Sequence, residues 1–153
     1  MEQIIYREMK LDEQQTVCNL VRHVFNEFLA PAYEKVGIEE FFRFANPSAM
    51  ETRIKAGGFV LVATKSDKVV GMLEFTPPNH IAMLFVSLRR QGIAKKLLLH
   101  TVARIHAANL AVSKITVNSS PYAEPIYRKL GFYQVGDMTT DHGITYIPME
   151  REI

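Results

Sequence analysis

The apolar positions along the chain change period several times, and those changes mark its elements. Residues 3–9 read as a first strand. Asp12 then stands three before Gln15, a pairing that can close a reciprocal cap at a helix start. Val17, Leu20, Val21, Val24, Phe25 and Phe28 recur at three and four, so the spacing predicts one helix with a buried face, running to about Leu29 and stopped by Pro31. Residues 38–56 keep helical spacing but break at Asn46 and Pro47, where Ser48 and Glu51 offer a second capping box, so two short helices are expected. Gly57 and Gly58 introduce a strand period. Residues 59–64, 69–76 and 80–86 are β-rich, and turns at Ser66-Asp67 and Pro77-Pro78-Asn79 make them an antiparallel set.

Helical spacing returns from Gly92 to about Asn109 through Ile93, Leu97, Leu98, Val102, Ile105 and Ala108. Residues 115–119 form a short strand. Ser120 and Pro121 then supply an N-cap and a first-turn proline, and Gly131 a stop, which predicts a helix over residues 121–130. Residues 132–135 and 144–149 complete a hairpin around Asp141 to Gly143. The order of strand, helices, three strands, helix, strand, helix and two strands predicts an α+β fold with helices on the faces of a sheet.

Composition narrows the class. With 153 residues and a 48% apolar share, the chain can bury one core, so a single domain over residues 1–153 is expected. Lys and Arg number 18 against 16 Asp and Glu, and a formal charge of +2 calls for neither nucleic acid nor an anionic membrane. Cys18 has no second cysteine to pair with and no His at ligand spacing, which fits a reducing compartment and a buried structural thiol. The first ten residues carry Glu2, Arg7, Glu8 and Lys10, unlike a signal peptide, and no apolar run is long enough to span a bilayer. A cytoplasmic protein without a metal site is the expectation.

The segment from Leu84 to Leu98 holds the candidate chemistry. An apolar strand leads into the loop Ser87-Leu88-Arg89-Arg90-Gln91, and a helix opens at Gly92-Ile93-Ala94. The first turn of a helix presents unpaired N–H groups and the positive end of its dipole, which together attract an anion. Gly92 and Ala94 would let a pyrophosphate approach the main chain, while Arg89, Arg90, Lys95 and Lys96 stand near. Neither the phosphate-binding loop of nucleotide triphosphatases nor the three-glycine dinucleotide fingerprint is present.

Arg89-Arg90-Gln91-Gly92-Ile93-Ala94 resembles the signature of the GNAT superfamily of N-acetyltransferases: Gln or Arg, two variable residues, Gly, one variable residue, then Gly or Ala. It lies between an apolar strand and an amphipathic helix, as it does in that family. Ala123, Tyr127, Gly131 and Phe132 resemble the family's later motif, and the likeness extends over essentially the whole chain. It implies a mixed, mostly antiparallel GNAT-like sheet and acetyl-CoA as cosubstrate. It further implies that Leu84, Phe85 and Val86 pair with the pantetheine arm, and that the main chain of Gln91, Gly92, Ile93, Ala94 and Lys95 takes the pyrophosphate. The strand holding Asn118 would form the other wall of the acetyl site, with Asn118 contacting the cofactor, and Tyr127 would face the thioester sulfur. The family often carries Asn seven residues before this tyrosine; here that position is Ser120.

An amine of pKa about 10.4 is neutral in only about one molecule in 2,500 at pH 7, a handicap of roughly 4.6 kcal/mol that desolvation or a base must offset. Glu74 and His80 are the candidate bases, and Tyr127 the candidate acid that protonates the departing thiolate. Ordinary roles compete with each. Tyr127 has the spacing of a core aromatic, Glu74 alternates with Leu73 and Phe75 as a solvated strand residue would, and His80 adjoins a turn. The basic cluster could be a solvated helix edge, and few aromatics interleave with it, which argues against base stacking. An N-acetyltransferase acting on a small-molecule or peptide amine is therefore the leading reading, and a catalytically silent CoA-binding regulatory module the alternative. The aromatic stretch of Phe28, Tyr33, Phe41, Phe42 and Phe44 is where acceptor contacts are expected, and a homodimer through the C-terminal strands or early helices would suit the resemblance.

Overall fold

The computed structural model describes residues 3–109 and 111–153. Among the described residues, eight strands and five α-helices follow one another. They are β1 (Ile4–Glu8), α1 (Gln14–Val24), α2 (Lys35–Phe44), α3 (Pro47–Lys55), β2 (Phe59–Lys65), β3 (Lys68–Thr76), β4 (His80–Val86), α4 (Ile93–Ala108), β5 (Lys114–Ser119), α5 (Glu124–Lys129), β6 (Tyr133–Gln134), β7 (Thr139–Asp141) and β8 (Ile144–Glu152). The strands run in the order β1-β2-β3-β4-β5-β8-β6, with β7 also paired to β8. Every neighbouring pair is antiparallel except β4 with β5. The sheet is thus the mixed, mostly antiparallel one expected.

Helices cover both faces. Val17, Val21 and Phe25 pack with Met50, Val60, Val62, Met72, Met83 and Phe85 on the α1–α3 side. Ile93, Leu97, Leu98 and Ile105 pack with Leu61, Ala63, Leu73, Phe75, Ile81 and Tyr127 on the α4–α5 side. Burying each Val, Leu, Ile, Met or Phe among these contributes on the order of 1.5–3 kcal/mol. Among the described residues, no helix is long and apolar enough to cross a membrane.

Several local expectations need correction. Asp12 does not cap α1; Glu13 precedes it and accepts from the Lys10 N–H at 2.8 Å while binding Arg7 through both carboxylate oxygens. Asn46, not Ser48, caps α3, accepting from the Ala49 N–H at 2.9 Å with Pro47 in the first turn. The predicted long first helix ends as an α-helix at Val24 and continues as a π-helical turn, Phe25–Leu29, then a 3-10 turn, Ala30–Ala32. The last helix starts at Glu124 rather than Pro121, although the Ser120 hydroxyl still accepts from the Ala123 N–H at 3.1 Å. The final hairpin is β7–β8; β6 pairs further along β8, with Tyr133 opposite Glu150.

Candidate active site

Parallel strands β4 and β5 should form an even ladder, yet they pair only where His80 meets Thr116 and Ile81 meets Val117. Beyond Ile81 they part, while β4 stays paired to β3 as far as Val86. The edge of β4 facing β5 therefore carries backbone groups without a strand partner. A bulge lies at the same place: Glu74 opposes Met83 and Phe75 opposes Ile81, which leaves Ala82 as the extra residue. The bulge resets the alternation, so Ile81 packs on the α4–α5 side and Met83 and Phe85 on the other.

The gap opens into a cavity of about 1050 Å³. Leu84, Phe85 and Val86 line it from β4, Asn118 from β5 and Tyr127 from α5. Arg89, Gln91, Gly92, Ile93, Ala94 and Lys95 line the end where α4 begins, so the structure brings every expected cofactor-side residue to one wall system. Gly92 has φ +69, a conformation costly for other residues, and space is open within 4 Å of where its Cβ would stand. No side chain caps α4, so its first N–H groups face the opening unclaimed. An uncapped sixteen-residue helix at one end and an unpaired strand edge along one wall suit an elongated ligand with an anionic head and an amide-bearing arm. The basic residues divide. Lys96 lies with its Nζ 5.7 Å from the Tyr6 ring and does not line the cavity. Arg89 stacks its guanidinium 4.5 Å from the Phe28 ring and donates to the Tyr122 hydroxyl at 3.3 Å, joining α4's loop to the π-helical turn. Phe28 and Tyr122 also stack, at 5.5 Å.

Tyr127 is 6% exposed and lies edge-on to Phe132 at 5.3 Å, so it is both a core residue and a cavity wall. Burial pushes its pKa upward, which keeps the phenol protonated across the physiological range. His80 lines the cavity at the root of the gap, with Nδ1 2.7 Å from the Thr116 hydroxyl. Burial lowers its pKa, which favours the neutral ring.

Glu74 does not line the cavity. It is fully buried rather than solvated, because helices cover both faces of the sheet and alternation no longer separates core from water. Arg53 of α3 grips both its oxygens, Nε to Oε2 at 2.6 Å and Nη2 to Oε1 at 3.0 Å. The third guanidinium nitrogen donates to the Phe44 carbonyl at 2.9 Å, and the group lies 3.7 Å from the Phe44 ring. Cys18 is buried outside the cavity, and burial pushes its thiol up to about 11, which keeps it unreactive. Tyr122, Arg53 and Thr116 were not singled out from sequence; no local motif marks them, since each acts through a partner distant in the chain.

The α1–α3 side of the cavity is aromatic: Phe28, Tyr33, Phe41, Phe44 and, from β8, Tyr146. Glu40 is the one carboxylate among the described lining residues, and it pairs with Arg43 at 3.3 Å. Phe25 organises this wall from beneath, stacked on Phe41 at 4.1 Å and edge-on to Tyr33 and Phe42.

No curated protein matches the chain by sequence. Solved structures match its fold across nearly its whole length. A GCN5-related N-acetyltransferase from Rhodopseudomonas palustris aligns over 100% of this chain and 98% of its own, with TM-score 0.84 and 18% identity. The PaiA N-acetyltransferase of Thermoplasma acidophilum, solved with coenzyme A, aligns over 99% of both chains with TM-score 0.80 and 17% identity. An aminoglycoside 6'-N-acetyltransferase complexed with coenzyme A aligns over 97% of this chain and 96% of its own, with TM-score 0.71 and 14% identity. The family model for the acetyltransferase (GNAT) domain matches residues 29–153. With the parted β4 and β5, the uncapped α4 and that match, the chain belongs to the GNAT acetyltransferase family.

Proposed function

We propose that the protein transfers the acetyl group of acetyl-CoA directly to the primary amine of a small molecule. The observation that carries this reading is the single cavity in which the unpaired edge of β4, the open start of α4, Tyr127 and His80 meet. Acetyl-CoA would supply an acetyl group already activated as a thioester. Leu84 to Val86 would pair with its pantetheine arm, and the N–H groups of residues 91–95 would take the pyrophosphate. Tyr127, protonated, would donate to the leaving sulfur. His80 is the better base of the two candidates, since it lines the cavity and is neutral, whereas both oxygens of Glu74 are held by Arg53. Cys18, the chain's single cysteine, lies outside the cavity with a raised pKa, which favours direct transfer over an acyl-cysteine route.

The acceptor wall favours a monoamine with an apolar body. A polycation such as a polyamine or an aminoglycoside needs several carboxylates, and Glu40 is the one carboxylate here. Thiol release from acetyl-CoA should therefore be faster with a phenylalkyl amine than with spermidine or kanamycin. Micromolar binding of acetyl-CoA without transfer to any amine of a broad panel would favour the regulatory binding module instead.

The His80 assignment carries a pH signature. Its folded pKa is lowered, so the stability it contributes is present above the ordinary value of 6.5 and is lost as pH falls through the folded value. Activity should follow the same limb, with kcat/KM falling on the acid side as the ring takes a proton. His80→Gln should lower kcat/KM by about 100-fold and remove that limb. An unchanged profile would reassign the base to water.

A further inference from the structure

A second concavity, of about 270 Å³, opens beside the large cavity between the first turns of α4 and the end of α5. Lys95, Lys129 and Arg151 line it with Leu98, Leu99 and Gly131. None of the three cations is in an ion pair with a described residue. The carboxylates flanking Arg151 are engaged elsewhere, Glu150 with Lys114 at 3.4 Å and Glu152 with the Tyr133 hydroxyl at 2.6 Å. One guanidinium nitrogen of Arg151, Nη1, is buried without a hydrogen-bond partner. A buried donor left unmade costs on the order of 1–3 kcal/mol, more when charged, so Nη1 is open to a partner from outside the polypeptide, a water or a ligand oxygen.

The surroundings are arranged for that side chain. Arg151 lies across Gly131, where a Cβ would meet its Nε at 3.1 Å and its Cδ at 3.4 Å, so the missing side chain leaves the arginine its path. Two of the carbonyls in the last turn of α5, which would repel an anion, are already bonded: the Gly131 N–H donates to Arg128 O at 3.0 Å and the Phe132 N–H to Tyr127 O at 3.0 Å. The concavity shares Lys95, Lys129 and Leu130 with the large cavity, next to the start of α4.

We propose that Lys95, Lys129 and Arg151 form a phosphomonoester site that holds the 3'-phosphate of coenzyme A and makes the protein discriminate against cofactor lacking it. The inference rests on the cofactor reading above. Three cations without carboxylate partners attract a dianion, and Arg151 adds a guanidinium with a donor that no described polypeptide group claims. Continuity with the pyrophosphate end of the large cavity favours the cofactor's own phosphate over a free one.

Calorimetric titration of the wild type with coenzyme A and with 3'-dephospho-coenzyme A tests this. The phosphorylated form should bind at least about tenfold tighter, a ratio that Arg151→Gln and the exposed Lys129→Gln should each lower several-fold. Equal affinities for the two ligands in the wild type would overturn the proposal and leave the cofactor reading intact, as would a ratio that neither substitution changes. Binding of neither ligand would overturn both. If inorganic phosphate raises the melting temperature of the wild type but not of Arg151→Gln, while the two cofactors bind equally, the site is one for a free anion and the assignment to the cofactor fails.

Discussion

Tyr127→Phe is expected to lower kcat by about 100-fold, with the KM for acetyl-CoA changed by less than about threefold. The substitution removes one oxygen and keeps the ring, so the edge-on contact with Phe132 and the packing of α5 against the sheet survive. Only the hydroxyl at the cavity wall is lost. Because burial already holds the phenol in its protonated form, the wild-type rate should show no alkaline limb from this residue near neutral pH. Steady-state kinetics with the best amine of the panel would decide it. A variant with full kcat would leave Tyr127 as a wall and nothing more, and solvent would have to protonate the thiolate.

Arg53→Met is expected to destabilise the fold by about 3–5 kcal/mol, because Glu74 would keep a fully buried carboxylate with no countercharge. Adding Glu74→Met to that variant should recover most of the loss, since two apolar side chains can replace a buried pair at little cost. Urea unfolding of the two variants measures both. The pair ties α3 to β3, and Arg53 also holds the Phe44 carbonyl at the end of α2, so the expected loss reaches the aromatic wall of the cavity too. If Arg53→Met instead retained stability but lost activity, Glu74 would return as a catalytic candidate.

Most of the elements were legible in the sequence because their signals are local; β7, Thr139–Asp141, has no apolar position to mark it. Three or four apolar residues at the right spacing define a face, and the turn that opens α4 is built from consecutive residues 89–95. The unread features each depend on something distant or on one residue's shift in register. The bulge at Ala82 leaves no mark in an apolar run where either face accepts the next side chain. The π-helical turn at Phe25–Leu29 is an insertion that helical periodicity absorbs without a visible break. Glu74 alternates like a solvent-facing residue, but α1 and α3 cover that side, and its partner lies 21 positions upstream. The orphan donor on Arg151 depends on where the end of α5 meets β8, which no spacing predicts.

The parting of β4 from β5 beyond Ile81 leaves one ladder of the sheet unfinished. Under the proposed cofactor reading, the missing ladder is supplied by a metabolite, so the ligand becomes part of the architecture rather than a guest in it. Mass action then ties resistance to unfolding to supply: at a cofactor concentration one hundred times its Kd the folded state gains about 2.7 kcal/mol. Because the pantetheine arm and pyrophosphate are common to free and acylated coenzyme A, it is the total coenzyme A pool that would set how far this protein stands from its unfolding threshold.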